Sequence, residues 1–370
     1  MIRKLNRVVQ DFLRPIRLNI GRKLWDRKVE KHPELIENNR VDMSRVKSIL
    51  FLRYDGKIGD MVINTLMFRE IQKRYPDIKI GVVSRGAATD IIKFNPHVNV
   101  IYNYKKGKES ELATEIAKEN YDVLVDFSEM LRVNQMKFIN QCRAKVNIGL
   151  DKSDWNLFDI SYEKNYNKHI TDMYKNVLNI LGIENPELSY EIHTGIVVKD
   201  EIKRRLRELG NPESFVVLNP YAASKHRSFN KEKILEISCK VLKESKSMLI
   251  FIGESSKKSE IEEIIEVLGD RNRVKYPTLS GILEVVELIR HADYVITPDT
   301  SIVHIGVAEK LPMTAVYRLD TGDNNSVVWG PNSPLVKQVF STDVAATGEE
   351  ADINKFDTLE IKISRIVREI

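Results

Sequence analysis

The chain of 370 residues carries 58 Lys and Arg against 53 Asp and Glu, is 42% hydrophobic and 30% charged, and has a formal net charge of +5. At roughly 100–200 residues per domain this length predicts two domains, and the composition excludes wholesale disorder and a membrane-spanning helix, which needs roughly 18 uninterrupted apolar residues. Only two cysteines are present, Cys142 and Cys239, 97 positions apart, which excludes a disulfide framework or a cysteine-rich metal site.

Residues 1–48 hold 13 Lys and Arg against 6 Asp and Glu, a net +7, which leaves −2 for the remainder. The extension reads as one or two short helices that Pro15 would kink or divide. Leu5, Val8, Phe12, Ile16, Ile20, Leu24 and Trp25 are apolar, with basic residues between them. Such a stretch suits an anionic membrane surface, and equally a helix packed on the body with a solvated basic rim. Charges run through it where a signal peptide needs an apolar core, so a reducing cytoplasm is the expected setting. Nucleic acid is not an expected partner, because the rest of the chain is slightly acidic and shows no binding module.

From residue 47 strands and helices alternate. KSILFLR (47–53) is a buried parallel strand, and DMVINTLMFREIQKRY (60–75) a helix stopped by Pro76. Strands follow at 78–84, 98–102, 121–127 and 145–150, with helices at 87–94, 109–120 and 131–142, a pattern that predicts a parallel sheet covered on both faces. The polar, aromatic segment 151–169 reads as a long functional loop. A helix near 170–181 leads to a turn-rich linker at 183–195, after which the alternation restarts with strands at 215–220, 247–253, 293–298 and 312–317. Helices are expected at 231–245, 257–269, 282–292 and 301–310, and a final one over 357–370 with Leu359, Ile363, Ile366 and Ile370 on one stripe. Two α/β units in tandem leave a cleft between the carboxyl ends of their sheets, the usual ligand position.

Three turns could carry chemistry. FLRYDGKIGDMVINT places Asp60 in the first turn of a helix at the end of the first strand, where a carboxylate can cap the helix or act as a general base. Its spacing is not G-x-G-x-x-G, so a dinucleotide fingerprint is unsupported. LNPYAASKHRSFN sets Lys225, His226 and Arg227 beside backbone amides, a combination suited to a diphosphate. In YVITPDTSIVHIGVAEK, Asp299, Thr300 and Ser301 open a helix whose N-terminus is an anion site, with His304 one turn on. No set of metal ligands is visible.

The order of these motifs, with a later Trp329-Gly330-Pro331, resembles the glycosyltransferase family 9 heptosyltransferases of lipopolysaccharide core assembly over about residues 47–340. The resemblance implies a GT-B fold of two Rossmann-like α/β domains with parallel sheets facing a central cleft. It divides the chain into an extension (1–46), an acceptor-binding domain (47–190), a nucleotide-sugar-binding domain (191–350) and a terminal helix (351–370). It implies inverting transfer of heptose from ADP-heptose, or of another nucleotide-sugar, to a lipopolysaccharide inner-core acceptor, without a cofactor or an obligatory metal. Asp60 matches the catalytic base, Lys225 and Arg227 the diphosphate contact, and Asp299, Thr300, Ser301 and His304 the phosphate-binding turn, with Ser301 in place of the common Gly. Glu254 is a candidate for the ribose hydroxyls, and Arg53, Lys57 and Arg85 for acceptor phosphates. A transferase of this kind works at the anionic inner leaflet, which makes residues 1–31 an expected docking element. The competing classes are a nucleotide-dependent oxidoreductase or epimerase, which would need G-x-G-x-x-G or Tyr-x-x-x-Lys, and a noncatalytic membrane-associated sugar-binding protein.

Overall fold

The computed structural model describes residues 2–319, 322, 324–343 and 351–363, with side chains from Leu13 onward. The chain opens with helix α1 (Ile2–Trp25) and a small hairpin of β1 (Ile36–Glu37) and β2 (Arg40–Val41). The first domain follows: β3 (Ser48–Arg53), α2 (Ile58–Arg74), β4 (Lys79–Ser84), α3 (Ala87–Ile91), β5 (Val100–Asn103), α4 (Glu109–Ala117), β6 (Val123–Asp126), α5 (Val133–Cys142), β7 (Val146–Leu150), β8 (Ile160–Tyr162) and α6 (Thr171–Ile180). The second contains α7 (Ile196–Glu208), β9 (Phe215–Leu218), α8 (Lys231–Glu244), β10 (Met248–Phe251), α9 (Lys258–Leu268), β11 (Val274–Lys275), α10 (Ile282–Arg290), β12 (Tyr294–Pro298), α11 (Ser301–Ala308), β13 (Met313–Tyr317), α12 (Asn325–Val328) and β14 (Val336–Phe340).

Each domain is built on a six-stranded sheet, ordered β5-β4-β3-β6-β7-β8 in the first and β11-β10-β9-β12-β13-β14 in the second. Every pairing in both is parallel. All six residues of β3 are buried, as a near-continuous apolar run in a doubly covered sheet requires. The strand order reverses between β3 and β6 and again between β9 and β12, so ligand positions are expected beyond the carboxyl ends of those four strands. This is the paired α/β architecture expected of GT-B.

Helix α2 is buried continuously from Met61 to Phe68, because α3 and α6 cover it from its own domain and α11 from the other. Ile63 and Leu66 of α2 share one apolar cluster with Ile302 and Val303 of α11, so the core is continuous across the domain boundary. The connecting segment is tied to both sides. The Glu191 amide donates to Thr65 Oγ1 at 3.1 Å, and Arg69 Nη2 donates to the Glu187 carbonyl at 2.9 Å. From the second domain, Arg290 donates to the Ile192 carbonyl and to Thr194 Oγ1, each at 2.9 Å.

At the N-terminus one helix runs through Pro15 instead of dividing there. Leu18 and Trp25 pack on the first domain, and Gly21 lets α1 approach α5 so closely that a Cβ there would meet Val133 Cγ2 at 2.6 Å. The Arg22 guanidinium lies 4.2 Å from the Trp155 ring, and Asp26 Oδ1 accepts the Leu157 amide at 2.9 Å. A second stripe, Ile16, Ile20 and Leu24, is exposed. The inner face therefore packs on the body and the outer face is uncovered.

Several elements differ from the sequence reading. Segment 151–169 contributes the edge strand β8, and β1, β2, α7, β11, α12 and β14 arise where no element was expected. Over its described part, 357–363, the expected terminal helix is replaced by a short 3₁₀ turn, Thr358–Glu360, capped by Asp357. Ile361 and Ile363 are buried against the second domain while Leu359 is exposed, an alternation incompatible with one helical stripe; Ile366 and Ile370 lie outside the described residues.

Candidate active site

The first half of the site forms where β3 gives way to α2. Gly56 takes a positive φ of 75°, and a Cβ there would press on Arg85 Nε at 3.0 Å, so glycine serves both the turn and the close approach of Arg85. Arg85 lies over this turn, with Nη2 donating to the Asp55 carbonyl at 2.9 Å. Asp60 falls in the first turn of α2, where the helix dipole favours a carboxylate. Arg53 Nη2 sits 2.9 Å from Asp60 Oδ2 and 3.3 Å from Asp55 Oδ2, with its guanidinium 5.2 Å from the Phe127 ring centre. Burial raises the Asp60 pKa above the ordinary carboxylate range, against the pull of Arg53. Arg53 is itself only 4% exposed, and its Nε has no hydrogen-bond partner. Arg53 lines the cleft together with Lys57 and Arg85, but as the buried partner of Asp60 rather than as a solvated side chain.

That cleft encloses about 720 Å³. Beneath it, at the end of β6, Asp126 Oδ1 accepts from Tyr54 Oη at 3.3 Å and from Ser128 Oγ at 3.0 Å, and burial raises its pKa to about 6. Lys152 is 2% exposed and donates to the Ser128 carbonyl at 2.7 Å, the Glu129 carbonyl at 3.2 Å and the Leu150 carbonyl. A buried lysine thereby fixes the loop that forms one cleft wall. Tyr54 lies in the first motif but is not singled out there, and Asp126 belongs to no recognisable motif; the aromatic, polar character of 151–169, which contains Lys152, is the other signal, and it gives Lys164 and Tyr166 to the cleft.

The second half forms beyond β9 and β12. Arg227 Nη2 donates to the Asp299 carbonyl at 2.8 Å and pairs with its carboxylate, which also accepts from Asn325 Nδ2 at 3.1 Å. Burial raises the Asp299 pKa in spite of Arg227. Thr300 caps α11 by accepting the Ile302 amide at 3.2 Å, and Asn219 Nδ2 donates to Thr297 Oγ1 at 2.9 Å and to Thr300 Oγ1 at 3.3 Å. Arg227, Asp299, Thr300 and Ser301 are therefore gathered at one helix N-terminus. Lys225 is exposed on the adjoining 3₁₀ turn, and Glu254 is exposed beyond β10.

His304 is placed differently from the sequence reading. It is buried between the domains, its Nδ1 has no hydrogen-bond partner, and burial pushes its pKa down to about 3, with His169 acting in the same direction. A neutral, enclosed imidazole supplies no cation to a phosphate. One turn into α11 the helix face meets α2, where a Cβ on Gly59 would lie 2.7 Å from His304 Cδ2.

Among the described residues no helix is long and apolar enough to cross a membrane. The chain is 22% identical over 321 residues to lipopolysaccharide heptosyltransferase 3 of Escherichia coli K12, covering 80% of this chain and 90% of the relative. Among solved structures it superposes on a family 9 glycosyl transferase from Veillonella parvula with a TM-score of 0.73 at 15% identity, covering 85% of this chain and 94% of that one. It superposes on the E. coli heptosyltransferase WaaC, solved with ADP, with a TM-score of 0.66 at 13% identity, covering 84% and 97%. The family model for glycosyltransferase family 9 (heptosyltransferase) matches residues 110–356, from α4 to beyond β14. With two parallel-sheet domains meeting at this cleft, the chain belongs to glycosyltransferase family 9 and is a glycosyltransferase of GT-B fold.

Proposed function

We propose that this enzyme transfers heptose from ADP-heptose to the inner core of lipopolysaccharide, with inversion at the anomeric carbon and without an obligatory metal. The observation that carries the reading is the seam between α2 and α11: Asp60 opens the first helix onto the cleft, and the Asp299-Thr300-Ser301 turn opens the second beside it. The heptosyltransferase relative suggests the sugar and the acceptor, and the ADP held by the E. coli structure suggests the nucleotide.

In this reading the ionised Asp60 takes the proton of an acceptor hydroxyl as that oxygen attacks the anomeric carbon. The bond from that carbon to the diphosphate oxygen breaks on the opposite face, and the nucleoside diphosphate leaves. Base catalysis of this type contributes about 10²–10⁴-fold. Arg227, Lys225 and the first-turn amides of α11 neutralise the departing diphosphate, a task other enzymes give to a metal. Asp299 fixes Arg227 for that role, Glu254 is the candidate for the ribose, and Lys57 and Arg85 take acceptor phosphates.

The exposed stripe of α1, with the +7 charge of residues 1–48, supports docking on the anionic inner leaflet from the cytoplasmic side. Mass spectrometry of lipopolysaccharide from a strain lacking the chain tests the whole reading. The core is expected to lose one heptose and to regain it when purified enzyme and ADP-heptose are added in the presence of EDTA. An unchanged core, or a requirement for a UDP-sugar, overturns the reading.

A further inference from the structure

Trp329 belongs to the second domain yet lines the cleft of the first. Its ring centre lies 5.6 Å from Lys57 Nζ and 5.7 Å from Lys164 Nζ, two cations carried by separate segments of the other domain, and Lys164 Nζ is also 4.5 Å from the Tyr166 ring. The indole is partly exposed, in a cleft whose lining mixes charged groups with apolar ones such as Phe127, Met130 and Met173.

The backbone around it is fixed at both ends. Asn325, at the start of α12, is hydrogen-bonded to Asp299 of the donor turn. The Val328 carbonyl accepts the Ile170 amide at 2.9 Å, and His169 Nε2 lies 3.1 Å from the Gly330 carbonyl, its burial-lowered pKa leaving it neutral and able to donate. Gly330 is needed for the tight end of α12, since a Cβ there would lie 2.2 Å from the Ser326 carbonyl oxygen. The backbone that carries the ring is therefore held in place before any substrate arrives.

A partly exposed aromatic ring on an anchored backbone, with two amine donors within about 6 Å of its centre, matches one chemical class well: a sugar ring, whose C–H face packs on the π-system while its hydroxyl or anionic substituents meet the cations. We propose that Trp329 is the stacking platform for the acceptor's sugar ring, with Lys57 and Lys164 holding the polar edge of that ring. The donor domain then supplies part of the acceptor site, and α12 links Asp299 to it across four residues. This inference rests on the transferase reading above, and goes beyond it in assigning the acceptor a residue of the opposite domain.

The test uses the full chain and, as acceptor, the deacylated inner-core oligosaccharide from the strain lacking this enzyme. Trp329→Leu is expected to raise the acceptor KM about tenfold, with the ADP-induced thermal shift and the melting temperature unchanged, and Trp329→Phe to recover most of the loss. Titrating the oligosaccharide into wild type is expected to change tryptophan fluorescence, and the change is expected to vanish in Trp329→Phe, which retains Trp25 and Trp155. An unaltered acceptor KM in Trp329→Leu, or a fluorescence change that persists in Trp329→Phe, overturns the proposal. The fluorescence needs no donor, so it decides the point even if wild type transfers nothing from ADP-heptose, an outcome that counts against the donor reading alone.

Discussion

Gly59 of the first domain packs directly on His304 of the second, at a distance that leaves no room for a methyl group between them. Each residue lies one position or one turn from the chemistry: Gly59 precedes Asp60, and His304 follows Ser301 on the same helix. The contact therefore sets the distance between the Asp60 carboxylate and the N-terminus of α11. Gly59→Ala is expected to force α2 and α11 apart, costing about 1–3 kcal/mol of stability as overpacking does. Thermal melting with and without ADP checks this, together with kcat, which is expected to fall more than the melting temperature alone explains. Unchanged melting and kcat would show that the seam has slack.

The Arg53–Asp60 ion pair makes a prediction about pH. Burial raises the Asp60 pKa, Arg53 and Lys57 lower it and Asp55 raises it. The facing group from another element is Tyr174 of α6, beside Arg53. A base must be ionised, so kcat/KM falls as pH drops through this raised pKa. Replacing Arg53 by Gln removes the main influence favouring the carboxylate, and the acid limb should move to higher pH by about one unit or more. A limb that stays in place would mean that Asp60 is not the group titrating.

How far these features were legible in the sequence depends on whether a residue's role is local. The buried strand at 47–53, the helix opening at Asp60 and the capped turn at Asp299-Thr300-Ser301 all follow from short-range rules of periodicity and capping, and the structure reproduces them. His304 looked like a phosphate contact because it shares a helical turn with Ser301, yet which face of α11 meets α2 is a property of domain packing. Arg53 looked exposed at a strand end and is instead buried by its pairing with Asp60. Strand β8 has only three residues, too few to show alternation within a polar segment. The terminal segment had helical spacing and a capping Asp, but its buried residues pack against α8 and the second sheet in a more extended form.

Lys152 carries the next prediction. Its ammonium group donates to three carbonyls in and beside the loop following β6, in a site where no water-exposed alternative is at hand. Lys152→Met keeps much of the volume and leaves those carbonyls without their donor, so a loss of about 3 kcal/mol is expected in chemical denaturation. The loop bears Glu129, which pairs with Lys164 at 2.5 Å, so the acceptor KM should rise as well, with ADP binding unaffected. Stability equal to wild type would show that the loop holds its shape without the lysine.

The outer face of α1 separates packing from docking. Deleting the helix would strip Leu18, Gly21 and Trp25 from the body and confound the two, whereas Ile16, Ile20 and Leu24 are about half exposed, at 48%, 55% and 52%. Replacing these three by Ser leaves the inner face intact, so the melting temperature should stay near that of wild type. Burying each of these side chains in a bilayer interface is worth on the order of 1–2 kcal/mol, so their loss should weaken binding to vesicles of anionic lipid by at least about tenfold. The basic residues remain in the variant, so what binding it keeps should be abolished by salt more readily than in wild type. Activity on a soluble acceptor oligosaccharide is expected to be spared, since none of the three lines the cleft. Wild-type vesicle binding in the triple variant would assign the stripe to something other than lipid and leave the positive charge as the only membrane attraction.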